Sequence, residues 1–339
     1  MTCSSARTTV WAGALIVVLM VSLSITVTIG PANLSVDQVW GSIGHHLGVA
    51  SSSSLSPLED AIVWQLRLPR VLTAAAVGAG LSLCGAVMQA LTRNALADPF
   101  LLGLSSGASL GAVLVLILGV SLLLPVAAFI GAMIAMTGTL LLARSLGVIT
   151  PTRTVLAGLA VSSLAGALTS LVIFWNATGD AYREILNWIL GSVAGADWTS
   201  VGIAGGSLVL IGVPVLAAAP VLDAFAFGDT AATALGVNVS RTRWLLLGGT
   251  ALLTGGMVSV SGSIGFVGLV LPNAVRLIVG ARHRVLLPFS ALFGAIFMVW
   301  VDTAARTMFA PRELPVGIIT VLVGAPIFAL LLWRSRGSA

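Results

Sequence analysis

Residues 72–91 read LTAAAVGAGLSLCGAVMQAL, a run without one charged side chain. As a helix rising 1.5 Å per residue, such a run is about 30 Å long, the thickness of a bilayer's hydrocarbon core. Arg67 and Arg70 stand just before it and Arg93 just after it, so charge is held to its two ends. The pattern recurs along the chain. Apolar runs cover about Val10–Ile29, Leu101–Gly119, Leu122–Ala143, Thr154–Trp175, Val201–Ala219, Trp244–Gly262, Phe266–Gly280, Val285–Ala305 and Val316–Trp333, which makes ten with the first. Helices satisfy their own backbone in lipid. The expected fold class is therefore an all-α membrane protein of about ten transmembrane helices, in one domain over residues 1–339. The short Phe266–Gly280 run is expected to be a broken helix or one covered by protein.

Composition agrees. Of 339 residues, 58 % are hydrophobic and only 8 % charged, against about 25 % charged in a soluble domain. Mean hydropathy is +1.10. Disorder, a collagen-like fibre, a secreted disulfide scaffold and a nucleic-acid partner are excluded. The net charge of +5 does not argue for nucleic acid, because the arginines are spread between apolar runs. Every one of the 16 basic residues is Arg. A phosphate loop needs a Lys to reach the nucleotide phosphates, so this chain carries no such ATP site. Cys3 precedes the first apolar run and Cys84 lies within a later one, so no disulfide is expected between them.

The first run could be a signal peptide, with Arg7 as its positive flank, but it exceeds the usual h-region of about 7–15 residues and reads as a retained span. With the N-terminus inside, Arg67, Arg70, Arg183, Arg306 and Arg312 fall outside, and the other eleven arginines, Arg336 among them, fall inside. That bias puts both termini in the cytoplasm. On this topology residues 31–66, with Ser51 to Ser54, form an outer loop, and residues 220–243 an inner one.

Several motifs have both a chemical and a packing reading. Gly103-Leu-Ser105-Ser-Gly107 matches a hydrolase nucleophile pattern, which requires a strand–turn–helix and a nearby base. Here it lies in an apolar run, and Gly103, Gly107 and Gly111 read instead as small-xxx-small helix packing. His45-His46 reads as a solvated loop or an amphipathic outer helix, since adjacent residues do not share a helix face. Arg67-Leu-Pro-Arg70 stands at the outer start of a span. It is either structural or an outward pair that receives carboxylates from a partner protein. Asp98 and Asp302 lie close to or within apolar runs, where acids are functional suspects. Asp302 and Arg306, spaced i, i+4, read as a structural ion pair; a proton relay is the competing reading and would make the chain a proton-coupled secondary transporter. The inner loop, with Phe227-Gly228-Asp229, Ala231-Ala232 and Leu235-Gly236, reads as a short amphipathic helix, a Gly stop and a second short helix, and is longer than a plain connection needs.

Taken in order, Arg67-Leu-Pro-Arg70, Gly85-Ala-Val-Met-Gln89, Asn94-Ala-Leu-Ala-Asp-Pro99, Leu102-Gly-Leu-Ser-Ser-Gly-Ala108, Gly265-Phe-Val-Gly-Leu-Val-Leu-Pro272, Arg284-Val-Leu-Leu-Pro288, Asp302-Thr-Ala-Ala-Arg306, Glu313-Leu-Pro-Val-Gly317 and Gly324-Ala-Pro326 form a series. It resembles the iron-siderophore (FecCD-type) permeases of ABC importers, a family that includes haem and cobalamin permeases, over about residues 60–333. The resemblance implies a type II importer permease fold, working as a dimer with a second copy or a paralogue, with the path at the dimer interface. It implies no enzymatic activity and no metal or cofactor in this chain. ATP and Mg would sit on separate ABC ATPase subunits docked on the inner loop, at Phe227, Gly228, Asp229, Ala232, Leu235 and Gly236. A periplasmic or lipid-anchored substrate-binding protein would dock on Arg67, Arg70 and Arg306. The implied cargo is an iron chelate, a ferric siderophore, with haem or cobalamin as alternatives, and the implied location is the bacterial cytoplasmic membrane. Two positions depart from the family pattern: Ala95 where it usually has Pro, and Asn273 where it usually has His.

Overall fold

The computed structural model describes residues 5–30, 32, 34–49, 55–120, 123–145, 147, 150–176, 179–309 and 312–335; Cys3, Ser51 to Ser54 and Arg336 lie outside these. Its helices are α1 (Ser5–Thr28), α2 (Val36–His46), α3 (Pro57–Ala61), α4 (Leu68–Thr92), α5 (Leu104–Ile117), α6 (Leu124–Ser145), α7 (Pro151–Asn176) and α8 (Gly179–Leu190). They continue as α9 (Trp198–Ser207), α10 (Val213–Ala217), α11 (Ala219–Ala226), α12 (Asp229–Ala234), α13 (Val239–Ser261), α14 (Val267–Val279), α15 (His283–Thr307) and α16 (Val316–Ser335). Among the described residues, seven helical stretches are long and apolar enough to cross a membrane, and Leu104–Ile117, Val267–Val279 and Val316–Leu331 are shorter apolar helices. Together these coincide with the ten apolar runs of the sequence. The Phe266–Gly280 run is the short α14, which is seated against α4, as a run too short to span alone must be.

The decisive stretch lies at the centre. In the Pro57–Thr92 helix 83 % of the most apolar window is buried, against 17 % in Thr8–Thr28. Its composition explains this. Rich in Gly and Ala on all sides, it lets neighbouring backbones close in from every direction. A Cβ on Gly78 would strike the Gly294 carbonyl of α15, and one on Gly85 the Gly268 carbonyl of α14. On α5, Gly107 lies against the Gly131 carbonyl and Gly111 against the Ala127 carbonyl of α6, so the expected small-residue packing holds for those two. Gly103 does not join them. It adopts φ +79 in the turn before α5, a left-handed conformation that glycine takes without strain.

Residues 31–66 are not simply a loop. The α3–α4 helix already begins at Pro57, capped by Ser56, whose hydroxyl accepts from the Glu59 N–H while the Glu59 carboxylate receives the Ser56 N–H. A π-helical turn, Ile62–Arg67, links α3 to α4. Its cause is Pro69, which has no N–H to give and whose ring crowds the preceding turn. In the π register Leu68 N–H reaches the Val63 carbonyl; the next carbonyl, of Trp64, would await Pro69. That carbonyl accepts instead from the Trp198 indole at 3.0 Å. A second π-helical turn, Leu208–Gly212, precedes Pro214 in the α9–α10 helix in the same way. The inner-loop residues 220–243 form α11 and α12, with α13 starting at Val239 within that range.

Candidate functional sites at the two ends of the bundle

Twenty-five residues of α4, about 37 Å of helix, separate two polar clusters. At the N-terminal end of α4, Arg67, Arg70 and Arg306 are brought together, as the sequence implied. Their guanidinium groups are turned inward, however, leaving the residues 5 %, 7 % and 5 % exposed. Arg67, on the π-helical turn, donates through Nη1 to the Thr28 carbonyl at 3.0 Å and the Val27 carbonyl at 3.3 Å, and through Nη2 to the Ala32 carbonyl at 2.7 Å. Arg306 donates through Nη2 to the Thr26 carbonyl. Those of Thr26, Val27 and Thr28 are the last carbonyls of α1, which no intrahelical N–H can reach and which carry the negative end of the helix dipole; that of Ala32 lies in the segment after it.

Arg70 forms the ion pair. Its Nε lies 3.0 Å from both Asp302 oxygens and its Nη2 2.9 Å from Oδ1. Asp302 is fully buried, and a carboxylate in such a place demands a charged, multiply bonded partner. The i, i+4 pair of Asp302 with Arg306 on one helix face is corrected: both carboxylate oxygens go to Arg70 from α4, and Arg306 turns to α1. The remaining arm of Arg70, Nη1, lies 2.8 Å from Glu313 Oε2 in the segment between α15 and α16. Glu313 belongs to the Glu313-Leu-Pro-Val-Gly317 motif, but nothing in its spacing assigned it a role.

The other suspect acid, Asp98, lies in the turn between α4 and α5. It accepts from the Phe100 N–H at 2.9 Å, and burial pushes its carboxyl up to about 6. It is thus a cap of the Pro99–Leu102 turn. Ser105 shares a 2.6 Å hydrogen bond with Ser263, not with a histidine. His46 ends amphipathic α2, pairs with Asp60 at 2.8 Å and stacks on Trp64.

At the far end of α4 lies the step formed by α11 and α12. Gly228, φ +98, turns the chain between them, and Gly236, φ +82, ends the second. The step is pinned by three contacts to two helices, α13 and α15. Asp223 accepts from the His283 N–H and lies 2.8 Å from its Nδ1, at the start of α15. Asp229 receives Arg243 Nη2 at 2.8 and 3.0 Å. The Arg243 guanidinium lies 5.4 Å from the centre of the Phe225 ring. Leu222 and Phe225 are buried, whereas Phe227 and Leu235 stand 78 % and 69 % exposed on the step. Ala232 is fully buried; it faces the bundle, so its expected place on the docking face is corrected to one of packing.

Beside the step, at the same end of α4, lies a further polar cluster. Arg276 on α14 donates to Gln89 Oε1 at 3.0 Å and to Asn273 Oδ1 at 2.9 Å. Asn273 Nδ2 donates to the Ala95 carbonyl at 2.8 Å. The two positions that depart from the family pattern therefore touch each other.

A multi-pass helical bundle without soluble character, carrying a pinned helical step at one end and an arginine cluster at the other, defines a membrane permease. The FecCD transport family profile matches residues 15–334, and the chain belongs to that family. It is 41 % identical over 325 residues to the uncharacterized ABC transporter permease protein YvrB of Bacillus subtilis, covering 94 % of this chain and 92 % of that one. It is 40 % identical over 300 residues to the vitamin B12 import system permease protein BtuC of Vibrio cholerae, covering 86 % and 88 %. Among solved structures, an inward-facing metal-chelate type ABC transporter superposes with a TM-score of 0.82 at 32 % identity, covering 95 % of this chain and 98 % of that one.

Proposed function

We propose that this chain is the membrane subunit of an ATP-driven importer whose cargo is an iron chelate, a ferric siderophore. Two copies, or one copy and a paralogue, enclose the path between them. Both termini lie in the cytoplasm and the bundle sits in the bacterial cytoplasmic membrane. ABC ATPase subunits bind ATP and Mg and dock on the α11–α12 step. A periplasmic or lipid-anchored binding protein docks at the arginine end and delivers the chelate. ATP binding shifts the dimer between outward and inward openings by stabilising one state over the other. The observation that carries this reading is the step itself, because exposed Phe227 and Leu235 on an immobilised turn make an apolar handle for a partner. A second reading, cobalamin as cargo, is favoured by the vitamin B12 permease among the relatives; haem stands beside it as a further chelate.

Uptake into proteoliposomes holding the assembled transporter tests the cargo. The proposal expects ATP-dependent accumulation of a radiolabelled ferric siderophore, with cobalamin and haem competing weakly. Accumulation of cobalamin or haem alone would replace the siderophore reading. Accumulation driven by a proton gradient without ATP would contradict both.

A further inference from the structure

Arg70 divides its donors between two carboxylates of opposite character. Nε and Nη2 go to Asp302, whose side chain is 0 % exposed, and Nη1 goes to Glu313, whose side chain is 43 % exposed. The first pair cannot open without stranding a buried charge. The second can open on its solvent side without leaving Arg70 uncompensated, because Asp302 stays bound to it. Charge balance points the same way. Among the described residues, the carboxylates acting on Arg70 and Arg306 are Asp302 and Glu313, so a third carboxylate, or a replacement for the second, meets net positive charge. The backbone beside Glu313 is held, because the Leu314 N–H donates to the Ala305 carbonyl at 3.0 Å. Release of Glu313 from Arg70 would thus need only a side-chain rotation.

We propose that Glu313 is a built-in stand-in for an acidic side chain of the docking protein, and that docking exchanges one carboxylate for the other on Arg70 Nη1. This rests on the reading that a binding protein docks at the arginine end, and it explains how arginines so deeply buried take part. The partner it fits presents an Asp or Glu on a short protrusion, since Arg70 is buried and its other donors are held by Asp302. Glu313 weakens docking in the free permease by competing for that arm, and it keeps Arg70 satisfied when no partner is bound.

The test uses the assembled transporter in nanodiscs. It is titrated at low salt, where surface charges are least screened, with the substrate-binding protein that co-purifies with it. Glu313→Gln removes the competing charge and is expected to tighten docking about threefold to fivefold. Asp37→Asn, an exposed acid on α2, removes the same charge elsewhere and is expected to leave docking unchanged. Arg70→Lys keeps a cation for Asp302 but loses the fork; it is expected to weaken docking and to abolish the effect of Glu313→Gln in the double variant. Unchanged or weaker docking in Glu313→Gln, with Arg70→Lys still impaired, overturns the exchange and leaves the docking reading standing. An equal gain in Asp37→Asn also overturns it, since the effect is then general charge. Wild-type docking in Arg70→Lys, or no co-purifying binding protein, overturns the docking reading and the exchange with it.

Discussion

Asp302 shows what a single buried charge costs and what sequence spacing conceals. Its i, i+4 relation to Arg306 was legible, and the local rule pairs neighbours on one helix. The partner it takes, Arg70, lies 232 residues away, and no local period reveals that. Arg306 was drawn off by something equally unreadable, the bare carbonyls at the end of α1. Replacing Asp302→Asn leaves the buried Arg70 guanidinium with only the half-exposed Glu313 carboxylate and is expected to cost about 3–5 kcal/mol. Thermal unfolding in detergent checks this, and the Asp302→Asn, Arg70→Met pair should recover part of the loss. Asp98 supplies a pH prediction. Its carboxyl, pushed from 3.8 to about 6 by burial, binds a proton more readily in the folded than in the unfolded chain. Its charge therefore leaves stability intact below about pH 4 and erodes it as pH rises through about 6. Asp98→Asn keeps the cap on Phe100 and removes the charge. Its melting temperature is expected to rise by about 2–4 °C at pH 7.5 and to match the wild type at pH 4. No gain at pH 7.5 would show that the buried charge is harmless. Ala95 and Asn273 were each visible as departures, but their contact was not: the amide at 273 donates to the backbone carbonyl at 95.

Helices were the most legible scale. Length and apolarity in the sequence marked the seven described helices long enough to cross a membrane and the three shorter apolar ones, because a bilayer demands both. What the sequence concealed was how helices are bent and which lie inside. The π-helical turns before Pro69 and Pro214 follow from a missing N–H, yet the compensation at the first comes from Trp198, far along the chain. Trp198→Phe keeps the ring and removes the donor. It is expected to destabilise by about 1–3 kcal/mol, the cost of an unsatisfied carbonyl; an unchanged melting temperature would show that water or lipid headgroups satisfy it. The central place of α4 follows from its glycines. Gly85→Ala pushes a methyl into the Gly268 carbonyl. Overpacking of this kind is expected to cost about 1–3 kcal/mol, whereas Gly166→Ala on α7, where a Cβ meets nothing within 4 Å, should cost nothing measurable. Equal effects at the two positions would mean that helix propensity, not backbone approach, governs.

At the scale of the molecule, the two ends of α4 carry the two clusters on which the proposed function rests. One end holds arginines in an internal network with a single exchangeable arm. The other holds a step whose underside, Leu222, Phe225 and Ala232, is sunk in the bundle and whose top, Phe227 and Leu235, is bare. Which of the loop residues face outward was not readable in a segment of two short helices, because too few turns exist for a period to emerge. The account stands on that step being the seat of an ATPase. The most direct measurement is a mild-detergent pull-down of tagged wild-type chain and of Phe227→Asp, with partners identified by mass spectrometry. Folding of each is verified by size-exclusion chromatography. The account predicts an ABC ATPase in stoichiometric amount with the wild type and its loss from the variant. A folded wild-type chain that brings down no ATPase, or a variant that retains it in full, would contradict it.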